Sequence, residues 1–237
     1  MKANAENILF LDIETVPQYK CFSDVPKNIQ ELWIKKMSTG MKPDEDAEQV
    51  YRRAGIWAEF GRIVCISAGF IHKKHDKYIF RIKSFYGNDE KKLLSEFNEN
   101  LRKFSEINKH EIKLCAHNGK EFDFPYIARR MLINRVKLPK VLNVGGKKPW
   151  EVPFLDTMEL WCFGDYKNYT SINLMAALFN IQSPKDDIDG SMVADVYYSQ
   201  NDIERIARYC EKDVLTVALL YLRLNEIDLE LEANSNQ

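Results

Sequence analysis

The first apolar segment reads Ile8-Leu9-Phe10-Leu11-Asp12-Ile13-Glu14-Thr15 and contains two acids among residues that favour burial. Residues two apart in a β-strand point to the same face, so the Asp12 and Glu14 carboxylates lie side by side. Two like charges in a partly buried place are unfavourable unless a positive group joins them. Carboxylate oxygens suit magnesium or manganese, so the pair predicts half of a metal site. A second interpretation stays open, in which the acids cap the strand end and face solvent beside Pro17.

Length and composition fit one globular domain. The chain has 237 residues, of which 45% are hydrophobic and 29% charged, and this composition is typical of a folded α/β protein rather than a disordered one. The net charge of −1 means that any affinity for nucleic acid must come from a local basic patch. Five scattered cysteines without a C-x-x-C motif favour a reducing compartment. With no membrane-length apolar run and no signal-peptide core, we expect a cytoplasmic protein that does not bind membranes.

Hydrophobic periodicity predicts an α/β fold with a mixed sheet of five strands flanked by helices. The first three strands form an antiparallel meander. The predicted strands are 8–15, 62–72, 78–85, 111–117 and 154–160, and the predicted helices are 28–36, 89–104, 124–133, 171–179 and 203–224. We expect a single domain over 1–237, with a core at about 7–224, an insertion at about 18–58 and a frayed C-terminal tail.

A second acidic position follows a buried strand. The segment 115–125 reads CAHNGKEFDFP, so Asp123 stands just before Pro125 at the start of a predicted helix. An N-cap role for Asp123 is a plain alternative to metal binding.

A third acidic position lies on the last predicted helix. Tyr209 and Asp213 are four residues apart and therefore neighbours on one helix face, at the edge of the apolar stripe. The alternative is a solvated Asp213 paired with Lys212 or Arg208.

Taken in this order, D-x-E, N-x-x-x-F-D and Y-x-x-x-D resemble the motifs of the DEDD superfamily of 3′–5′ exonucleases, in its tyrosine subgroup. The chain is most similar to stand-alone bacterial enzymes related to the exonuclease domain of family B DNA polymerases. The segments 60–67 and 189–193 support the resemblance, which covers about residues 7–224. It implies a ribonuclease H-like fold without a fused polymerase domain.

The resemblance also implies roles for single residues. It assigns two divalent ions, Mg²⁺ or Mn²⁺, to Asp12, Glu14, Asp123 and Asp213, and the orientation of the attacking water to Tyr209. The implied reaction is hydrolysis at the 3′ end of single-stranded DNA with release of 5′-mononucleotides. Two alternatives stay open, namely the same reaction on RNA 3′ ends and a catalytically silent nucleic-acid-binding module.

Further residues are candidates for substrate contact. In the family, the positions of Thr15 and Val16 pack the terminal nucleotide, and Asn118 and Phe122 shape the second motif. Turn stabilisation for Asn118 and core packing for Phe122 are the structural alternatives. Lys185 is a candidate phosphate contact. The segment 124–150 contains seven basic residues and no acid, which would let it follow a phosphate backbone, although a solvated helix face and loop explain it equally well.

Overall fold

The computed structural model describes residues 5–38, 45–75, 77–107, 112–165, 169–181, 188–229 and 231–234. A mixed sheet forms the centre of the molecule and contains β1 (Ile8–Pro17), β2 (Gly61–Lys74), β3 (Lys77–Tyr86), β4 (Lys113–Ala116), β5 (Leu155–Asp156) and β6 (Leu231–Asn234). Along the sheet, these strands follow the order β5-β4-β1-β2-β3-β6. The β1-β2-β3 meander is antiparallel, whereas β4, β5 and β6 join by parallel pairing. The predicted α/β class and the mixed, ribonuclease H-like sheet flanked by helices are therefore confirmed.

The helices are α1 Lys27–Met37, α2 Ala47–Tyr51, α3 Glu90–Ile107, α4 Asp123–Ile133, α5 Thr157–Cys162, α6 Ile172–Leu178, α7 Val193–Asp195 and α8 Ile203–Leu224. Val196–Gln200 continues α7 as a short π-helical turn.

The central strand β1 separates two cores because its side chains alternate between the faces of the sheet. Leu9, Leu11 and Ile13 pack with α3 and α4 on one face. Ile8 and Phe10 pack with α8 on the other face. Asp12 and Glu14 follow Phe10 at spacings of two, so they point to the side of α8, and this register places the acid pair beneath that helix.

The insertion at 18–58 forms a small aromatic cluster of its own. Trp33 is fully buried among Val25, Val50, Tyr51 and Phe60, and its indole N–H donates to the Ala47 carbonyl at 3.0 Å. The segment closes back on the end of β1, where an added Cβ on Gly55 would lie only 3.0 Å from the Val16 carbonyl carbon. The insertion is therefore packed against the strand that carries the acid pair.

Two predictions differ from the structure. The C-terminal tail, which the sequence predicts to be frayed, contains a strand, because residues 231–234 pair in parallel with β3 and add a sixth strand to the sheet. The predicted strand 154–160 is only two residues long, because Asp156 accepts hydrogen bonds from the Met158 and Glu159 amides and starts α5 there.

Within the part of the chain that the structure describes, the helices lack the combination of length and apolar character that crossing a bilayer requires.

Candidate metal centre

The β1 acids lie next to each other and next to a thiol. One carboxylate oxygen each of Asp12 and Glu14 and the Cys210 Sγ lie within 4.8 Å of one another. Glu14 is only 8% exposed. The interpretation of a solvent-facing acid pair at a strand end is therefore wrong for Glu14, and the structure contains the compact pair that the D-x-E spacing predicts.

Asp123 reaches the same strand from the first turn of α4. The β1–β4 ladder ends at the pair Phe10–Cys115, so the amide of Ile13 lies beyond it. That amide donates to the Asp123 Oδ1 at 3.2 Å. Phe122, not Asp123, occupies the N-cap position of α4. The plain capping role is therefore excluded, and the Asp123 carboxylate is tied to the backbone between the two β1 acids.

Helix α8 brings the third pair of groups. Asp213 is 8% exposed, which excludes the interpretation of a solvated surface acid. The Tyr209 hydroxyl donates a hydrogen bond to the Asp213 carboxylate, as expected for neighbours one helical turn apart. The Cys210 thiol lies 3.4 Å from the Asp12 carbonyl oxygen and 3.3 Å from its Oδ2, so it fastens α8 onto β1.

The electrostatics show how closely these groups approach. Burial, followed by the neighbouring charges of Glu14, Asp123 and Asp213, raises the pKa of Asp12 well above its ordinary value. Burial and then Asp213 raise the pKa of Glu14 in the same direction. Burial, opposed by hydrogen bonds from its own amide and that of Ile13, raises the pKa of Asp123 to about 7. The Tyr209 pKa is also raised, by burial first and then by Asp213.

This donor set fits hard divalent cations. Four carboxylates act on one another across a small buried volume, and oxygen donors of this kind are the ligands that Mg²⁺ and Mn²⁺ prefer. The leading charge contributions to the pKa values of Asp12, Glu14 and Asp123 come mainly from neighbouring acids, and these contributions raise the pKa. Positive charge from outside the chain would relieve the repulsion between these acids.

Asp156 supports this centre from β5. Besides capping α5, its carboxylate accepts hydrogen bonds from the amides of Asn118 at 2.9 Å and Lys120 at 3.0 Å. These bonds hold the turn that leads from β4 to Asp123. Asp156 thus holds the loop between β4 and α4 in place.

The predicted substrate contacts have different environments. The Thr15 hydroxyl donates to the Gly55 carbonyl at 2.9 Å. Val16 is fully buried in the core under α8, so its side chain cannot pack against a nucleotide in this structure.

Two further candidates lie near α4. Asn118 has a positive φ of 59°, and its Oδ1 has no hydrogen-bond partner among the described residues. Phe122 is half-buried against the core and its ring centroid lies 5.3 Å from that of Tyr126. Lys185 lies outside the described residues.

Cys210 is the group at this centre that sequence reasoning missed. The sequence feature that could have indicated its role is its position between Tyr209 and Asp213, but this position also belongs to the apolar stripe of α8. A buried cysteine there reads as a core residue. Only the packing of α8 across β1 shows that its thiol touches Asp12.

A comparison with known families identifies the family of the chain. A family model described as a predicted 3′–5′ exonuclease related to the exonuclease domain of PolB matches residues 56–237. The match includes Asp123, Tyr209 and Asp213, whereas Asp12 and Glu14 precede it. A search of curated proteins found no match to the chain.

Proposed function

Because the chain belongs to the family of predicted 3′–5′ exonucleases related to the exonuclease domain of PolB, we propose that it degrades single-stranded DNA from the 3′ end and releases 5′-mononucleotides. The observation that carries the proposal is the convergence of Asp12, Glu14 and Asp123 with the Tyr209–Asp213 pair. These groups come from a central strand and two helices that are far apart in sequence.

We propose that Asp12, Glu14, Asp123 and Asp213 hold two divalent ions. When bound, such ions supply an activated water and neutralise the charge that develops on the leaving 3′ oxygen. The protein contributes a rigid arrangement of the carboxylates. The Ile13 amide fixes Asp123, and the sheet register fixes Asp12 and Glu14 side by side.

Tyr209 acts as a hydrogen-bond donor in this proposal. A phenol has an ordinary pKa of about 10 and is protonated at neutral pH, so in this proposal Tyr209 is not the base that removes a proton from water. A protonated phenol can still orient a water or a phosphate oxygen next to Asp213. Its role is therefore positioning through a hydrogen bond.

The test is incubation of the purified protein with 5′-labelled single-stranded DNA and, separately, RNA of the same sequence, with Mn²⁺, Mg²⁺ or a chelator. The expected result is a ladder that shortens from the 3′ end of DNA with either ion and stays intact with the chelator. Chromatography of the small products should show nucleoside 5′-monophosphates. Faster shortening of RNA would instead assign an RNA substrate.

Asp12→Asn and Asp213→Asn are the informative variants. Each removes a charge that the ions need, so we expect a loss of at least about a thousandfold in rate, equivalent to several kcal/mol. Glu204→Gln on the exposed face of α8 is the matched control and should retain full activity. Near-normal turnover by either aspartate variant would refute the ligand assignment, and DNA binding without any turnover by the wild type would favour a silent binding module.

A further inference from the structure

A basic groove lies at the far end of α4 from the candidate metal centre. It has a volume of about 820 Å³ and runs between α3 and the segment 135–143. Its cationic lining residues are Lys91, Arg102, Arg135, Lys137 and Lys140. We refer to it as the α3 groove.

The charge of the groove is only partly compensated. Glu99 is its acidic lining residue, and its carboxylate pairs with Arg102 at 2.9 Å and with Lys103 at 3.4 Å. Within the described ranges, the structure shows no ion pair for Lys91, Arg135, Lys137 or Lys140, which are all exposed. In the part of the chain that the structure describes, these four positive charges line the groove without an ion-pair partner.

The walls of the groove are already ordered. The side-chain Nδ2 of Asn98 on α3 donates a hydrogen bond to the Lys137 carbonyl at 2.8 Å, and this bond joins the two walls of the groove. Leu138 and Val141 pack against the core below. Arg135 has a φ of 56°, in the left-handed region where helix ends usually have glycine, and the Val136 amide bonds back to Met131 at 2.8 Å. The backbone that presents these cations is thus held in place before any ligand arrives.

The distance to the metal centre suits a long substrate. Helix α4 runs from Asp123 to Ile133, so the helical rise separates its two ends by about 15 Å, and Arg135 follows two residues beyond the helix. At about 3.4 Å per nucleotide of a stacked strand, this corresponds to on the order of five nucleotides. A stacked strand whose 3′ end lies at Asp123 therefore needs about that length to reach the groove.

We propose that the α3 groove binds phosphates of the same single-stranded DNA substrate several nucleotides upstream of the 3′ end. The proposal rests on the proposed function for the identity of the strand, and on charge complementarity for the contact. Its consequence is length dependence. Long strands gain affinity from the groove, whereas very short ones do not reach it.

The test uses a groove variant that carries the three substitutions Lys91→Gln, Lys137→Gln and Lys140→Gln. The matched control variant carries Lys27→Gln, Lys35→Gln and Lys74→Gln, and thus loses three exposed lysines that do not line the groove. KM and kcat are measured on a tetranucleotide and on a strand of about 20 nucleotides, and binding of the labelled long strand is followed by fluorescence anisotropy without divalent ions at several salt concentrations. For the groove variant we expect KM on the long strand to rise about tenfold or more, with unchanged kcat. We also expect the slope of log K against log salt concentration to become shallower by about 2, because each lost phosphate contact on a single strand removes about 0.7 from this slope. On the tetranucleotide, both kinetic constants should stay within about twofold of wild type, because too few phosphates are present to reach the groove.

The outcomes separate this inference from the proposed function. Equal KM changes on both lengths, or no change on the long strand, would overturn the groove assignment. An equal loss of binding in the control variant would overturn it as well, because the effect would then be one of net charge. If the wild type hydrolyses neither strand, the proposed function fails, and the anisotropy comparison still decides whether the groove binds the strand.

Discussion

Burial raises the pKa values of Asp12, Glu14 and Asp123 together, and this determines how the protein without divalent ions responds to pH. A carboxyl group with a raised pKa holds its proton in the folded state after the unfolded chain has released it. For Asp123 this window extends from the ordinary value of about 3.9 to about 7. Within it the folded state binds more protons than the unfolded state, so stability falls as pH rises.

We therefore expect the melting temperature of the metal-free protein to fall between about pH 4 and about pH 7. Addition of Mn²⁺ at the upper pH should raise it again, because a bound cation compensates the repelling carboxylates. Asp123→Asn should flatten the pH dependence in chelator, whereas the exposed Glu204→Gln should leave it unchanged. A melting temperature that rises over this range in chelator would contradict the buried-acid arrangement.

Tyr209→Phe separates the hydrogen bond from the ligand set. The variant keeps the four carboxylates and removes only the hydroxyl that donates to Asp213. Loss of a hydrogen bond to a charged group is equivalent to about 1–3 kcal/mol, so we expect kcat to fall about 5- to 150-fold with Mn²⁺ affinity nearly unchanged. A loss as complete as that of Asp12→Asn, measured under saturating Mn²⁺, would assign Tyr209 a larger role than positioning.

At the scale of elements, α4 is anchored by a buried ion pair two turns from Asp123. The Arg130 guanidinium pairs with Glu90 of α3, with its Nε 2.8 Å from Oε1, and donates to the Ala58 carbonyl at 2.9 Å. Both side chains are only 6% exposed. Glu90 also accepts from the Ile63 amide of β2 at 2.7 Å. One pair thus fixes α3, α4, β2 and the insertion relative to one another.

Removal of one partner leaves the other charge buried. We expect Arg130→Met to lower the free energy of unfolding by about 3–5 kcal/mol, and the double variant with Glu90→Gln to lower it by less than the sum of the two single changes. Urea denaturation measures both quantities. Arg129→Met, at an exposed position on the same helix, is the matched control. Additive effects of the two substitutions would show that the pair is not coupled.

The elements that the sequence predicts well are those with a strong period. Helix α8 has the predicted bounds because eleven of its residues are buried along one continuous stripe. Strand β2 is similarly clear, since most of its residues are buried on both faces. In contrast, β6 depends on pairing with β3 over more than 140 residues of sequence, and nothing local in 231–234 indicates it. The β5–α5 boundary depends on the capping bonds of Asp156, which compete with strand extension.

The candidate site likewise contains features that the sequence predicts and features that depend on how distant segments pack together. Residue type and order, together with the family resemblance, predict the acids and Tyr209, and the structure brings these side chains together, while their role as ligands stays a prediction. The contacts of Cys210 with Asp12 and of Asp123 with Ile13 could not be predicted, since both depend on how separate elements pack. The hydrogen bond of the Thr15 hydroxyl could not be predicted either, because its acceptor, the Gly55 carbonyl, belongs to the insertion.

At the scale of the whole molecule, the insertion is a separate packing unit that touches the site. Its aromatic cluster is centred on Trp33, while the Gly55 carbonyl accepts hydrogen bonds from Thr15 at 2.9 Å and from the Tyr126 hydroxyl at 2.8 Å. The insertion therefore buttresses the end of β1 just after Glu14.

Trp33→Ala should open this unit without unfolding the sheet. Replacement of a fully buried tryptophan by alanine lowers the free energy of unfolding by about 3–5 kcal/mol. The small cluster has too few other contacts to compensate for this loss. Limited proteolysis should then cut within the insertion, and hydrogen exchange should remain slow in β1 and β2. Trp150→Ala, at a position that is 77% exposed, is the control. Global loss of protection would show that the insertion and the sheet form one cooperative unit.

The position of β1 in the strand order has a practical consequence for truncation. The family match begins at residue 56, whereas β1 ends at Pro17 and lies between β2 and β4. A fragment cut to the matched boundaries would lose the strand that holds the two halves of the sheet together, and two rows of unpaired backbone groups would be left in its place. We expect such a fragment to be insoluble when expressed alone, and to regain structure when residues 5–55 are supplied as a second chain. The boundary of family similarity is therefore not a boundary of folding.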